Sequence, residues 1–416
     1  MVIKQTEIGV IPEDWEVVNF NDEFNFLSTA SYSRAEIQSQ GEIGYIHYGD
    51  IHTKLNFHLD LNKYLSGFIN PEQIKTYSNI EVGDLIMADA SEDYLGVGKA
   101  VEIIGKNHDV KVISGLHTFL IRAKKENRFA LGFKGYFQNN PLIKKQYDSL
   151  ATGLKVYSLS KNSFKNVQIP LPPLAEQEAI ANALSDADAW IEKLEQLIAK
   201  KRLIKQGAMQ SLLSPKDDWE VKKLGEVVVN IVDNRGKTPP FSKSDTHELI
   251  ETASISFVDK NLDYSKVTKF VSDYTYKTWF RDIPKKGDLL VSTVGEYSGA
   301  TALFYINKGT IAQNLVAIRV ENSLISSNYL LYWSKSNFYK LQLKKVMMHQ
   351  AQPSLKVPWL LGFEMAFPSL SEQERIATIL SDMDVETEAL EQQLSKARQI
   401  KQGMMQELLT GKTRLI

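Results

Sequence analysis

The chain has 416 residues and no cysteine. Disulfides and thiolate chemistry are therefore excluded, and a reducing compartment fits without being required. Long hydrophobic runs are missing too. Nothing approaches the ~20 apolar residues that span a bilayer, so no membrane is expected among the partners. The stretch from Met1 to Trp15 lacks the apolar centre of ~7–15 residues that marks a secretory signal, and the expected location is cytoplasmic. Net charge is nearly absent, at −1. Taken alone, that balance argues mildly against nucleic acid.

The motifs of independent catalysis are also missing. There is no G-x-x-x-x-G-K-[ST] loop and no H-E-x-x-H pair. The seven histidines are scattered. His47, His52 and His58 share one polar stretch, but no carboxylate or cysteine spacing completes a metal site there. Thr238-Pro239-Pro240-Phe241 is similar to the Pro-Pro-aromatic core of amino-group methyltransferases. No glycine-rich strand–turn–helix accompanies it to hold a methyl-donor nucleoside, so it reads as a loop with a rigid exit. Asp217 with Glu220 and Lys222 is similar to a nuclease carboxylate–lysine set, but the spacing is too tight for two strands to present around a metal ion.

What is present is a repeat. Residues 175–214 return as 371–410 without a gap, and 23 of the 40 positions are identical. A repeat dictates architecture. Here it makes the protein a tandem of two similar halves, each ending in one long helix. Other segments match at larger shifts. Trp15-Glu16-Val17 returns as Trp219-Glu220-Val221, and Gly83-Asp84-Leu85 as Gly287-Asp288-Leu289, both 204 residues on. Leu154-Lys155-Val156 matches Leu355-Lys356-Val357, 201 residues on. The helices have kept one length while the globular parts have diverged.

In both helices the apolar residues follow a 4-3-4-3 spacing. The first seam is Ile180, Leu184, Ala187, Ile191, Leu194 and Ile198. The second is Ile376, Leu380, Met383, Thr387, Leu390 and Leu394. Such a seam serves a partner helix, and two in one chain most simply pack on each other antiparallel. Ser371 with Glu374 fits a capping box; Ala175 leaves the first copy without that hydroxyl. Outside the seam, Glu176, Gln177, Gln206, Gly207 and Gln210 recur as Glu372, Gln373, Gln402, Gly403 and Gln406. A helical glycine costs about 1 kcal/mol relative to alanine. Its retention in both copies suggests close approach of another backbone, with a kink after common ancestry as the alternative.

Each globular part alternates short strand-like runs with turns. The strand candidates are 84–88, 99–104 and 117–122 in the first half, and 288–293, 301–306 and 314–319 in the second. Helix-like segments follow at 130–140 and 327–345. The expected fold is α/β (α+β): domain one over 1–174, helix one over 175–214, domain two over 215–370, and helix two with the tail over 371–416.

Charge is distributed unevenly. From His117 to Lys165 ten Lys or Arg face two acids, and from Trp333 to Phe363 five lysines face none. The distribution matters more than the total; a solvated helix face is the plain alternative. For phosphate contacts the candidates are Lys124, Lys125, Lys144, Lys145 and Lys155, then Lys237, Lys344, Lys345 and Lys356. For base edges they are Thr152, Arg235, Gln350 and Gln352, since Gln and Arg make bidentate contacts to A and G.

Taken together, P-L-P-P-L-A-E-Q-E-A-I (170–180), L-S-D-A-D-x-x-I-E-x-L-E-Q (184–196) and K-R-x-x-K-Q-G-x-M-Q-x-L-L (201–213) resemble the conserved region of specificity (S) subunits of type I restriction-modification enzymes. F-P-S-L-S-E-Q-E-R-I (367–376) and K-Q-G-M-M-Q-E-L-L-T-G-K (401–412) resemble their second such region. The I-P-E-D-W lead (11–15) is similar as well. The resemblance implies two target recognition domains reading the halves of a bipartite, asymmetric site in double-stranded DNA. It implies an antiparallel coiled coil with pseudo-twofold symmetry that fixes the spacer. It implies two modification (M) subunits, which carry S-adenosylmethionine and methylate adenine, docked on the helices, and restriction (R) subunits using ATP and Mg. No cofactor is expected on this chain, and it would catalyse nothing itself. A coiled-coil scaffold without DNA reading, or a specificity module of a different methyltransferase system, are the rival readings.

Overall fold

The computed structural model describes residues 2–70, 77–94, 96–106, 110–153, 155–234, 236, 238–305, 309–311, 313–348 and 353–415. Contacts divide the chain into two compact units, Met1–Glu195 with Gln392–Ile416, and Gln196–Glu391. The long helices run Leu174–Leu212 and Leu370–Leu408, 39 residues each. The division therefore passes through the middle of both. Each unit holds one globular part and one antiparallel pair of half-helices: 174–195 with 392–408 in the first, 196–212 with 370–391 in the second.

The first unit is built on strands β1 (Phe24–Leu27), β2 (His58–Asp60), β3 (Leu85–Ala88), β4 (Ala100–Gly105) and β5 (Thr118–Ala123) in the order β1-β5-β3-β4-β2. All neighbours are antiparallel except β4 with β2. The second unit has β6 (Val228–Asp233), β7 (Leu289–Ser292), β8 (Thr301–Leu303) and β9 (Leu315–Val320) in the order β6-β9-β7-β8. That is the same arrangement for four of the strands; among the described residues the parallel edge strand β2 has no counterpart in the second sheet. A smaller three-stranded sheet accompanies each, centred on Ile43–Ile46 and on His247–Ile250.

Strand β3 is apolar at every position, and β7 at all but Ser292, because both sheet faces are covered. Leu85 and Met87 face one cluster with Phe20, Phe24, Phe164 and the helix residues Ile180 and Leu184. Ile86 and Ala88 face the other, with Ile46, Ile51 and Leu59. That is the period-two alternation of a strand. The second unit repeats it, with Leu289 and Val291 on one side and Leu290 on the other. Gly83 and Gly287 open these strands at φ of +86° and +94°, a backbone region that favours glycine. The aspartate that follows each is buried and meets an arginine two strands' length away in sequence: Arg122 on Asp84 at 2.7 Å and Arg319 on Asp288 at 2.8 Å.

Register between the halves is now visible. Met87 pairs with Ala100, and Val291 with Thr301. The shift is thus 204 at β3, 201 at β4, 197 at β5 and 196 beyond. The match of Leu154-Lys155-Val156 to Leu355-Lys356-Val357 is overturned. The amide of Leu159 donates to the Asp89 carbonyl, and that of Leu355 to the Thr293 carbonyl, both at 2.8 Å. Leu159 is therefore the equivalent of Leu355, and Ser160 that of Lys356. Three similar letters carried less information than one hydrogen-bond register.

Other expectations need adjustment. The segment 130–140 forms a 3-10 helix only over Lys134–Asn139. The segment 327–345 is two helices, Ser327–Lys335 and Asn337–Met347, broken where the Ser336 hydroxyl accepts from the Tyr339 amide. The second long helix starts at Leu370, so Ser371 lies inside its first turn. The hydroxyl that accepts from the Glu372 amide belongs to Ser369, at 3.4 Å.

Every residue of the two expected seams is buried or half-buried. Around them, the first unit pairs Lys401 with Asp188 and Arg398 with Glu195; the second pairs Lys205 with Asp384 and Arg202 with Glu391.

Candidate nucleic-acid interface

Folding removes much of the basic character read from the first half. Of the ten cations between 117 and 165, Arg122 is held by Asp84, Arg128 by Glu16 and Glu23, Lys134 by Glu102, and Lys144 by Asp148. Most of these acids come from far along the chain; Glu16 is 112 residues from Arg128. Lys144, a phosphate candidate, thus has a carboxylate at 2.5 Å and lies near the Tyr94 ring. Lys124 donates to the Asn21 carbonyl at 2.6 Å. Lys125, Lys145, Lys155, Lys344, Lys345 and Lys356 are exposed. Lys356 lies over the Trp359 ring. In the second half Lys335 is deeply set, donating to the Ser256 and Thr301 carbonyls at 2.8 and 2.5 Å. With no carboxylate among those bonds, burial pushes its ammonium down to about 7.

Thr152, the base-reading candidate among the described residues, lies at one corner of the first globular part, where β3 ends and β5 begins; the second unit has the equivalent corner between β7 and β9. In the first unit the Asp89 amide donates to the His117 carbonyl at 3.1 Å, and Ala90 pairs with Ser158. Ser158 also exchanges both backbone bonds with Thr152. That places the exposed loop carrying Thr152 and Lys155 at the corner. In the second unit the Thr293 amide donates to the Asn314 carbonyl at 2.8 Å, and Val294 bridges Ser354. Thr238, Pro239 and Phe241 line a cavity of about 140 Å³ with Glu251, Lys269 and Asn314. Arg235, Lys237, Gln350 and Gln352 lie outside the described residues. Lys124 and Lys125 are not brought to the corner. They follow β5 at its other end, roughly 20 Å away for six residues.

Side chains at the corner are polar and differ between the halves. His117 is exposed, and its Nδ1 lies 3.2 Å from Asp89 Oδ1. The Tyr48 ring packs edge-on against it at 5.4 Å. In the second unit Asn314 is exposed, Gln313 donates to Thr238, and Thr293 is buried with its hydroxyl on the Asn314 carbonyl. His117 and Asn314 stand at the start of equivalent strands and are not among the candidates that composition and spacing mark. The available signal was a change of polar residue ahead of two like strands.

The expected docking residues divide into two groups. Gln177 and Gln373 are buried and staple each helix start to its own globular part. The Gln177 side chain accepts from the Ala130 amide and donates to the Arg128 and Pro172 carbonyls; Gln373 accepts from Ser326 and donates to Leu324 and Pro368. Glu176 is buried too, taking the Trp15 indole N–H and the Arg414 guanidinium. A docking role for these three is corrected by their burial. Glu372 is half-buried, and Arg375 beside it holds its carboxyl down at about 2.

Gln206, Gln210, Gln402 and Gln406 are exposed and line clefts. The first pair borders a cleft of about 690 Å³ with Lys260, Lys335 and Asp384; the second borders one of about 470 Å³ with Lys99 and Asn139. The two clefts are repeat-equivalent. A methyl group added at Gly207 or Gly403 would meet nothing within 4 Å. The expected close approach of another backbone is therefore not supplied by the described residues. Among those residues no cluster of three or more His, Cys, Asp or Glu could hold a metal ion, and no helix is long and apolar enough to cross a membrane.

The family described as "Type I restriction modification DNA specificity domain" matches this chain twice, over residues 12–201 and 216–399. The MjaVIII type I restriction enzyme specificity subunit of Methanocaldococcus jannaschii is 25% identical, over 97% of this chain and 94% of that one. A second protein of that organism, the putative MjaX specificity subunit, is 26% identical over 99% and 96%. Among solved structures, the S subunit of a type I restriction-modification system from M. genitalium shares the fold with a TM-score of 0.54. It is 16% identical, over 95% of this chain and 96% of that one.

Proposed function

This chain belongs to the family of type I restriction-modification DNA specificity subunits, and from that premise we propose that it reads a bipartite, asymmetric DNA site, one half with each globular unit. As a specificity subunit it is the non-catalytic, DNA-recognising member of its enzyme. The observation that carries the finer reading is the shared corner. Both units keep the same backbone bonds there while their side chains differ. Two like frames carrying unlike readers suit two unlike half-sites, not a palindrome.

Lys155 and Lys356, exposed at the corners, and Lys344 and Lys345, exposed on the helix Asn337–Met347, would contact phosphates and set register rather than sequence. The two long helices would act as an antiparallel coiled coil that fixes the spacer. Two adenine-methylating M subunits would bind the chain, one at each of the repeat-equivalent clefts beside Gln206 and Gln402. S-adenosylmethionine belongs on those subunits, and ATP and Mg on the R subunits that join them. The 1–174, 175–214, 215–370 and 371–416 segments would then be reader, helix, reader and helix.

Methylome sequencing of a host that carries this chain with its methyltransferase partner tests the reading. The expected result is one two-part motif with unlike halves and a fixed gap. Four residues inserted into both long helices should lengthen that gap by about two base pairs, since four residues add ~6 Å against 3.4 Å per base pair. A palindromic motif, or altered half-sites with an unchanged gap, would overturn it.

A further inference from the structure

We propose that His117 and Asn314 are the equivalent base-reading side chains of the two units, His117 positioned by Asp89. The proposal rests on the DNA-reading role given above and deepens it to named atoms. The two residues occupy one place in the repeat. Each lies directly before the central strand, β5 or β9, and offers its carbonyl to the amide after the neighbouring strand, Asp89 or Thr293. The sheet that carries them is kept in kind: the ion pair of Asp84 and Arg122 at the far end of β3 and β5 has its counterpart in Asp288 and Arg319. A position that changes polar identity inside a retained frame is where two readers of different sequences should differ.

Geometry favours an outward, hydrogen-bonding role for both. His117 has φ of +56°, in the left-handed region, although it is not glycine. Such a conformation persists only where the surroundings hold it, and it tends to mark functional sites. The side chain of His117 is 51% exposed. With its Nδ1 turned to the Asp89 carboxylate and Tyr48 against its ring, the Nε2 edge is the one left to a ligand. A neutral ring that donates from Nδ1 presents an acceptor at Nε2. That acceptor matches the exocyclic amine of adenine or cytosine, which faces the major groove. Asn314 is exposed, and its amide makes no hydrogen bond to a described residue; one carbonyl and one amino group side by side match adenine N6 and N7. Asp89 acts through His117, fixing ring and tautomer.

The test uses the full chain with its methyltransferase partner. The motif is first established for the unaltered complex, then each base pair is substituted in competition binding with His117→Ala, Asn314→Ala and Asp89→Asn. His117→Ala should flatten discrimination at one base pair of one half-site by roughly 10- to 100-fold. Asn314→Ala should do so at an adenine of the other half. Asp89→Asn should weaken discrimination at the same pair as His117→Ala and at no other. Uniform weakening over all sequences would mean a merely structural corner, and unchanged discrimination would remove both residues from the readers. Either result overturns the proposal while the two-part motif of the unaltered complex stands. Absence of a two-part motif in that complex would instead fail the underlying reading.

Discussion

Lys401 ion-pairs with Asp188, and the repeat returns the same contact with its sides exchanged, as Lys205 with Asp384. In both, the aspartate's second oxygen accepts a tyrosine hydroxyl at 2.8 Å, from Tyr136 or Tyr332. Each unit thus ties its two half-helices and its globular part at one carboxylate. The pairs differ in what remains when the lysine is lost: Lys260 also lies 3.5 Å from Asp384, whereas Lys401, itself 7% exposed, is the cation on Asp188 among the described residues. Removing one partner of a buried pair strands the other. Lys401→Met should cost about 3 kcal/mol in urea unfolding, and Lys205→Met less, about 1–2 kcal/mol. Equal losses would contradict this ranking.

Arg414 closes the first unit. Its guanidinium spans Asp14 at 2.7 Å and Glu176 at 2.5 Å, and Glu176 is fully buried. Arg414→Ala should destabilise by about 3 kcal/mol and speed amide exchange at the start of the first long helix. Adding Glu176→Gln should recover part of the loss, because the stranded charge is gone. A double variant no better than the single one would refute the assignment.

The two buried glutamines invite a matched experiment. Gln177→Ala and Gln373→Ala each leave one amide and two carbonyls without their partner. Losses of about 2–4 kcal/mol are expected from each, in thermal or urea melts. Binding of the methyltransferase subunit, scored on the folded fraction, should be unaltered.

Gly207 and Gly403 separate stability from docking. Space beside both is open, so Gly207→Ala and Gly403→Ala should stabilise the isolated chain by about 0.5–1 kcal/mol each. The same variants should weaken association with the methyltransferase subunit, measured by titration calorimetry. Stabilisation with undiminished association would remove the glycines from the docking surface.

Lys335 should leave a signature in pH. Its folded pKa of about 7 lies below its ordinary value of 10.5, so between these the unfolded chain binds more protons. Stability contributed by this group therefore rises with pH across that window. The unaltered chain should gain stability between pH 7 and 9.5 relative to Lys335→Met, whose own curve lacks that rise. Parallel curves would mean that Lys335 titrates normally.

The sequence by itself determined the doubled architecture, the two long helices with their seams, the central strands and the family. These signals are local or self-referential. Helical spacing is written within a few turns, the Gly-Asp openings of β3 and β7 within five residues, and the repeat needs only the chain's comparison with itself. Tertiary structure decided which charges remain for a partner, and where. Arg128 looked available until Glu16 and Glu23 arrived beside it, and Lys134 until Glu102 did, 32 residues away. Gln177 and Gln373 looked outward from a helical wheel, yet the helix starts turn them onto the backbone of their own globular parts. The likeness of Lys155 to Lys356 dissolved in the hydrogen-bond register, which set Ser160 in that place. Burial, pairing and register between strands depend on residues far apart in the chain. The same distances bring His117 to Asp89 and Asn314 to Thr293, and so create the corners where reading is proposed.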